Sequence, residues 1–292
     1  MATQQDISRE EALARSQEAG GRPSERTSIV KVREGTAART SDLVAAEEPL
    51  EVRLEGEQVA VTMRTPVPGE DAELALGFLL GETIVSASDV ARISECRASE
   101  GDGGVADVKL RPGAHPAAGW QRRFYATSSC GICGKASIEA VRLSAPALPA
   151  GPAIEGDTLL ELPRALLSGQ SVFDRTGGLH AAALFEASGR IEIVREDVGR
   201  HNAVDKLVGR AAMDGRLPLN DRVLLVSGRA SFEIVQKALL AGIPVVAAVS
   251  APSSLAVRLA RESNMTLVAF LRPGGFNVYA GSERIEGLSP ID

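Results

Sequence analysis

The stretch that decides the fold is VLLVSGRASFEIVQKALLAGIPVVAAV, residues 223–249, in which two continuous apolar runs flank a segment with helical spacing. Such runs are typical of strands that are buried on both faces of a parallel sheet. Ser231 is placed to cap a helix that carries Val235 and Leu239, and Gly242 is placed to end it. The segment therefore predicts a strand, a helix and a second strand.

The same alternation continues toward the C terminus. Ser253 precedes a second helical segment, and Thr266–Leu271 is a third apolar run. Parallel strands joined by right-handed crossovers bring their carboxyl ends to one edge of a sheet, where ligands bind. Three segments are predicted to meet at that edge: Ser227–Arg229, Ser250–Ser254 and Phe270–Gly275.

The first half of the chain has a different pattern. Apolar residues alternate with polar ones over 50–63, which predicts a hairpin, and Glu70–Gly81 predicts an amphipathic helix. Val105–Arg111 and Arg123–Ala126 predict further strands, whereas the polar composition before Ser28 predicts disorder. We therefore expect a disordered tail (1–27), a small α+β N-terminal domain (28–127), a loop and linker (128–156) and an α/β C-terminal domain (157–292).

Composition narrows the class of protein. The formal net charge is −6 and aromatic residues make up 3% of the 292 residues, which argues against a nucleic-acid-binding surface. No apolar run approaches the roughly 20 residues of a membrane span, and the N terminus lacks a signal-peptide core. We expect a cytoplasmic protein with neither nucleic acid nor membrane as a partner. Of the three cysteines, Cys96 is expected to be a small core residue.

The other two cysteines form the pair Cys130-Gly131-Ile132-Cys133. A thiol near a helix start can have a lowered pKa, and a thiol on a flexible loop suits transfer between a donor and an acceptor. Three other interpretations stay open: half of a zinc site, a thioredoxin-like redox pair and a structural role. The zinc site would need more ligands, which only Cys96, His115, His180, His201 and carboxylates could supply.

A second polar cluster lies in Arg195–Leu207, where a predicted strand ends and a predicted helix begins. It contains Asp197, Arg200, His201, Asn202, Asp205 and Lys206. A helix start offers free amides to an anion, although a well-capped helix with surface ion pairs would show the same residues. His180 is either a ligand or a satisfied core histidine. The candidate nucleotide-binding set is His180, Asp197, Arg200, His201, Asn202, Ser227, Gly228 and Arg229.

Several segments together carry a resemblance to a known family. They are SSCGICG at 128–134, TGGLHAA at 176–182, EDVGRHNAVDKLVG at 196–209, SGRASFEIVQKA at 227–238, and the segments 252–259 and 270–279. Their order and content resemble the formate dehydrogenase accessory sulfurtransferases, the FdhD/NarQ family, from about residue 28 to residue 285.

This resemblance implies a cytidine-deaminase-like C-terminal domain and a homodimer. It also implies that sulfur passes from a cysteine desulfurase to Mo-bis(molybdopterin guanine dinucleotide), or its tungsten counterpart, before the cofactor enters formate dehydrogenase. By position, Cys130 matches the persulfide-bearing cysteine and Cys133 its partner. The family's cofactor-binding segment matches Phe270, Leu271, Arg272, Pro273, Gly274 and Gly275, with Leu271 and Pro273 contributing through backbone.

The zinc signature of deaminases is missing from this sequence. It requires His-x-Glu and a later Pro-Cys-x-x-Cys, whereas His180 is followed by alanines and the cysteine pair precedes the second domain. We therefore expect a shared fold without the deaminase chemistry and without a resident metal. The alternatives to sulfur transfer are a non-catalytic cofactor-binding chaperone and a zinc-dependent hydrolase.

Overall fold

The computed structural model describes residues 21–98, 103–120 and 146–288. Cys130, Cys133 and the predicted strand Arg123–Ala126 lie outside these residues, as does most of the predicted tail. The described chain has a mixed α/β architecture with separate N-terminal and C-terminal sheets. No helix in the described ranges is long and apolar enough to cross a bilayer.

The described chain begins with a two-stranded antiparallel ribbon, β1 (Ser24–Arg33) and β2 (Thr36–Ala45). Glu34 and Gly35 join the strands with φ values of 47° and 78°, as a two-residue hairpin turn of this hand requires. The prediction of disorder is therefore wrong for residues 24–27. Pairing with residues 42–45 orders them, and a polar composition does not reveal such pairing.

A four-stranded sheet with the order β4-β3-β6-β5 follows. It comprises β3 (Glu48–Leu54), β4 (Glu57–Arg64), β5 (Val90–Arg97) and β6 (Gly104–Leu110). The predicted hairpin and the strand near 105–111 are confirmed, whereas β5 was not predicted. The prediction that Cys96 is a core residue is wrong, because it is exposed on β5, an edge strand of this sheet.

The helix α1 (Glu70–Gly81) covers this sheet, and Leu74 and Leu79 join the core formed by β3 and β6. The sequence predicted one apolar face, but α1 is buried around most of its circumference. Its second face packs against α4 (Arg200–Met213), so the helix lies between the two sheets.

The C-terminal sheet has the order β13-β12-β11-β10-β8-β9. Its strands are β8 (His180–Glu186), β9 (Ile191–Asp197), β10 (Arg222–Val226), β11 (Val245–Ala248), β12 (Thr266–Arg272) and β13 (Gly275–Ala280). As predicted, β10, β11 and β12 are parallel; β8, β9 and β13 extend the sheet with antiparallel pairs.

Helices cover both faces of this sheet. The helices α4, α5 (Phe232–Leu240) and α6 (Ser254–Glu262) pack on one face. The other face is covered by α2 (Gly156–Gly169), which was not predicted although its buried leucines 159, 162 and 166 have helical spacing. The helices α5 and α6 are capped by Ser231 and Ser253, as the sequence indicated.

Short elements lie near the start of the C-terminal domain. The strand β7 (Ile154–Glu155) pairs with β14 (Ile285–Glu286), and α3 (Phe173–Thr176) is a single turn ahead of β8. The amide of Leu148 donates to the carbonyl of Ser263 at 3.0 Å. The C-terminal domain therefore begins before residue 157, which was its predicted start.

Candidate functional site

The predicted convergence of three segments at one sheet edge is present. The amide of Ser250, after β11, donates to the carbonyl of Gly228 at 3.4 Å, and the amide of Phe270 donates to the carbonyl of Ser250 at 3.2 Å. Parallel strands of similar length end side by side, so the loops that follow them are neighbours. These loops form the candidate edge, which we define as Ser227–Arg229, Ser250–Ser254 and Phe270–Gly275.

The antiparallel hairpin β8–β9 adds a second group of residues to this edge. His180 begins β8 opposite Asp197, and the amide of Ser227 donates to the carbonyl of Ala181 at 2.9 Å. A Cβ atom on Gly228 would lie 3.4 Å from both His180 Nδ1 and Arg200 Cδ. The side chains of His180 and Arg200 therefore pack next to Gly228. Both residues lie at the candidate edge.

The N terminus of α4 is prepared for an anion. The N-cap residue Gly199 supplies no side-chain cap, and the first turn contains Arg200 but no acidic residue. In contrast, the first turn of α1 contains Glu70, Asp71 and Glu73, which offset the helix dipole. Because an uncapped helix start exposes free amides and partial positive charge, a phosphate or carboxylate would bind favourably there.

Arg200 strengthens this interpretation. Its Nε atom is buried and has no hydrogen-bond partner among the described residues. A buried donor without an acceptor costs about 1–3 kcal/mol, which a bound anion would recover. Arg229 and Arg272 are exposed on the same edge, so three guanidinium groups are available to a polyanionic ligand.

His201 is neutral at this edge. Burial, together with the positive charges of Arg200 and Lys237, lowers its pKa from 6.5 to about 3. Its Nε2 atom lies 3.1 Å from Ser231 Oγ and 3.6 Å from Glu233 Oε2, but the carboxylate does not outweigh burial and the cations. A neutral imidazole can donate or accept a hydrogen bond, which suits contact with a nucleotide base. Ser231 was predicted only as a helix cap, and its contact with His201 depends on the tertiary fold.

Burial and the charge of Arg200 also lower the pKa of His180. The side chain of Ser227 has a partner within the protein, because its Oγ accepts a hydrogen bond from the Ala181 amide at 2.9 Å. The Ser227 hydroxyl can still donate its hydrogen to a ligand, whereas the Ser227 amide already donates to the Ala181 carbonyl.

Asp197 and Asn202 are held by hydrogen bonds within the protein. Asp197 is fully buried, and its carboxylate accepts from Lys206 Nζ at 2.8 Å, Asn202 Nδ2 at 3.0 Å, and the amides of Thr65 and Gly199 at 3.1 and 2.9 Å. A carboxylate has about four acceptor positions, so these donors use all of its capacity. Asn202 also donates to the carbonyl of Met63 at 2.7 Å. These hydrogen bonds hold β4 against the C-terminal domain, and direct contact of the two residues with cofactor stays a prediction.

The predicted cofactor segment forms the hairpin between β12 and β13. Arg272, Pro273, Gly274 and Gly275 are exposed, and Gly274 adopts a φ of 92°, which favours glycine. Leu271 is fully buried in the core against α2, its backbone included. Phe270 is partly buried with a φ of 54°, in the left-handed region, where β12 and β13 slip out of register.

No group of three or more histidine, cysteine or acidic residues suited to a metal occurs in residues 21–98, 103–120 and 146–288. This observation does not extend to Cys130 and Cys133, which lie outside those ranges.

Comparison with known proteins adds independent information. Residues 45–286 match the FdhD/NarQ family. A protein named sulfur carrier protein FdhD from Streptomyces coelicolor is 53% identical over 274 residues, which cover 91% of this chain and 96% of that protein. The protein of the same name from Mycobacterium tuberculosis is 55% identical over 255 residues, covering 84% and 92% of the two chains.

A solved structure supports the same relationship. The crystal structure of a putative formate dehydrogenase accessory protein from Desulfotalea psychrophila matches with a TM-score of 0.69 at 27% identity, and covers 90% of this chain and 99% of that one. The match to the family spans most of the sequence and agrees with the structural similarity. The chain belongs to the FdhD/NarQ family.

Proposed function

We propose that this protein is a sulfurtransferase that serves formate dehydrogenase. It carries sulfur as a persulfide on Cys130 from a cysteine desulfurase to Mo-bis(molybdopterin guanine dinucleotide) or its tungsten counterpart. The observation that carries the proposal is the anion-ready edge around Arg200, in a chain that also contains the Cys130–Cys133 pair. Relatives that are named sulfur carrier proteins support it.

The chemistry is thiol–persulfide exchange. The Cys130 thiolate attacks the terminal sulfur of a donor persulfide, a new S–S bond forms, and the donor's cysteine leaves as a thiolate. Cys133 then attacks Cys130 Sγ, which forms a disulfide and expels hydrosulfide to the metal of the acceptor cofactor. The two thiolates supply the two electrons that reduce the transferred sulfur to sulfide, and a cellular thiol reductant reopens the disulfide.

The edge provides suitable contacts for the guanine-dinucleotide part of this substrate. Arg200, Arg229, Arg272 and the start of α4 would bind phosphate groups, since each offers positive charge or free amides. The exposed hairpin at Gly274 permits close backbone approach, and neutral His201 can hydrogen-bond a base. The proposed contact set is His180, Arg200, His201, Ser227, Gly228, Arg229 and Phe270–Gly275.

We also propose that the C-terminal domain is cytidine-deaminase-like, that the protein is a homodimer and that it acts in the cytoplasm. A mixed sheet with α2 on one face and α4, α5 and α6 on the other supports the first of these assignments. The deaminase reaction itself is not proposed, because its zinc signature is missing from the sequence.

The test compares Cys130→Ala with Cys96→Ala, which removes the exposed cysteine of β5. After incubation with a cysteine desulfurase and cysteine, mass spectrometry should detect the added sulfur on wild type and Cys96→Ala but not on Cys130→Ala. In cells that lack the wild-type protein, only Cys130→Ala should fail to activate formate dehydrogenase. Full activation by Cys130→Ala, together with loss of activation by Arg272→Ala, would instead identify a cofactor-binding chaperone.

A further inference from the structure

The start of α5 places two oxygen-bearing side chains against the imidazole of His201. Ser231 Oγ lies 3.1 Å from His201 Nε2, and Glu233 Oε2 lies 3.6 Å from the same atom. Ser231 is the N-cap of α5, and Glu233 lies in its first turn, where the helix dipole favours a carboxylate. The other oxygen of Glu233, Oε1, lies 3.9 Å from Nζ of the buried Lys237. Glu233 is therefore held between a cation and the imidazole.

These contacts favour one of the two neutral forms of the ring. Burial and neighbouring cations lower the pKa of His201 to about 3, so at neutral pH only one ring nitrogen carries a hydrogen. A carboxylate can only accept hydrogen bonds, and a lone pair on Nε2 would face the negative charge of Glu233. A hydrogen on Nε2 is instead attracted by that charge and can be donated to Ser231 Oγ. The form with hydrogen on Nε2 is therefore favoured.

In this form the other ring nitrogen is a hydrogen-bond acceptor. Among the described residues, His201 Nδ1 has no hydrogen-bond partner, and it is not buried. The ring belongs to the first turn of α4, next to Arg200 at the candidate edge. With the hydrogen on Nε2, Nδ1 keeps its lone pair and can accept a hydrogen bond from a ligand but cannot donate one. A guanine base offers donors of this kind, among them its 2-amino group.

We propose that Glu233 is a positioning residue that fixes His201 in the form with hydrogen on Nε2, and thereby presents Nδ1 as an acceptor to the donor edge of a guanine base. Glu233 acts through the imidazole and not through a contact of its own with the ligand. The inference rests on the proposed function for the identity of the base. The form of the ring, in contrast, is a property of the free protein and is measured without any ligand.

The first experiment measures the form of the ring by nuclear magnetic resonance on the full chain. The protein contains three histidines, so nitrogen-15 labelling of histidine gives three rings, which His115→Gln and His180→Gln assign. In wild type, Nε2 of His201 should have the chemical shift of a protonated ring nitrogen, and Nδ1 that of an unprotonated one. Glu233→Gln should move the two shifts toward each other, and the conservative Glu233→Asp should move them less. Hydrogen on Nδ1 in wild type, or unchanged shifts in Glu233→Gln, would overturn the proposal.

The matched control is Glu82→Gln. The negative charges of Glu82 and Glu233 both raise the pKa of Lys237, whereas Glu233 also lies against the imidazole. Glu82→Gln should therefore leave both ring shifts of His201 at their wild-type values. Equal movement of the shifts in Glu82→Gln and Glu233→Gln would show that the effect comes from Lys237, and would contradict a positioning role for Glu233.

The second experiment compares the binding of guanosine diphosphate with that of inorganic pyrophosphate by calorimetry. Loss of a negative charge at the edge would by itself strengthen the binding of both anions. Loss of the acceptor position weakens only the ligand that has a base, so Glu233→Gln should raise the Kd of guanosine diphosphate about ten-fold relative to that of pyrophosphate.

Two outcomes of this experiment separate the positioning role from the proposed function. If wild type binds guanosine diphosphate and Glu233→Gln leaves the ratio of the two Kd values unchanged, the positioning role is wrong and the nucleotide site stands. If wild type does not bind guanosine diphosphate, the guanine contact and the nucleotide site of the proposed function are both wrong. The ring shifts still decide in that case whether Glu233 fixes the form of His201.

Discussion

The polar motif from Glu196 to Lys206 contributes residues to two regions of the molecule, and these regions differ in how many partners their side chains have within the protein. Toward α1, Asp197 and Lys206 are buried and each has several partners. At the start of α4, Arg200 and His201 are partly exposed, and Arg200 Nε has no partner among the described residues. Both regions contain charged or polar side chains. They differ in how much of the hydrogen-bonding capacity of these side chains is already used within the protein. A fully paired buried group holds the fold, whereas a group with spare capacity can bind a ligand.

Lys206 is the strongest test of the buried region. Its Nζ atom lies 2.8 Å from Asp197 and 3.0 Å from Glu70, and these carboxylates raise its pKa although burial opposes the charge. Lys206→Met would leave the fully buried Asp197 without its cation and Glu70 with only Arg195 at 3.6 Å, so we expect the free energy of unfolding to fall by about 4 kcal/mol. Chemical denaturation measures this loss.

The control for Lys206 is Arg210→Met, one turn further along α4. Arg210 pairs with Asp214 at 2.9 Å, but its side chain is 45% exposed, so this change should cost about 0.5 kcal/mol or less. Equal losses for the two variants would contradict the distinction between buried and exposed pairs.

Gly209 tests how closely α1 and α4 approach. A Cβ atom at Gly209 would lie 1.8 Å from the carbonyl oxygen of Glu73, and one at Gly77 would lie 1.8 Å from that of Asp205. Alanine favours an uncrowded helix by about 1 kcal/mol relative to glycine. In this interface, however, Gly209→Ala must push the helices apart, and we expect a loss of about 3 kcal/mol in the free energy of unfolding.

The control for Gly209 is Gly275→Ala, where the added atom meets nothing within 4 Å. Its stability should stay within about 0.5 kcal/mol of wild type. Stabilisation of the protein by Gly209→Ala would show that the helices are further apart than described.

His201 tests the partly exposed region at the start of α4. Its expected effect on the free energy of unfolding is the smallest of the three. The unfolded chain binds a proton on this ring below about pH 6.5, whereas the folded chain does so only near pH 3. Stability from the neutral ring is therefore complete above pH 6.5 and declines as pH falls toward 3, with a loss of about 1 kcal/mol between pH 7 and pH 5.5. His201→Gln should remove this part of the pH dependence.

The measurement is the free energy of unfolding at several pH values for wild type, His201→Gln and His115→Gln. His115 is exposed, so its replacement controls for loss of a histidine and should leave the slope near that of wild type. An unchanged slope for His201→Gln would mean that the ring is not held neutral at the edge.

Local sequence patterns predicted elements that form their own core contacts. The strands β10, β11 and β12 are continuous apolar runs, and Ser231 and Ser253 cap the helices between them. The β1–β2 ribbon, β5 and the exposure of Cys96 were missed, because pairing and position in a sheet, not composition, determine them.

The candidate site also combines features that the sequence predicts with features that only the tertiary structure shows. The sequence alone indicated that the loops after β10, β11 and β12 would meet at one edge, because parallel connectivity requires it. It also gave the family resemblance, with Cys130 and Cys133 at the matching positions. Both inferences depend on chain order and residue identity, which the sequence states directly.

Only the tertiary structure separated Arg200 and His201 from Asp197 and Asn202. All four lie within six residues of one another, and each has a polar side chain able to bind a ligand. Packing of β4 and α1 against α4 supplies partners to Asp197 and Asn202 from residues more than 130 positions away in the sequence. Such long-range pairing uses their hydrogen-bonding capacity, and no local pattern in the sequence encodes it.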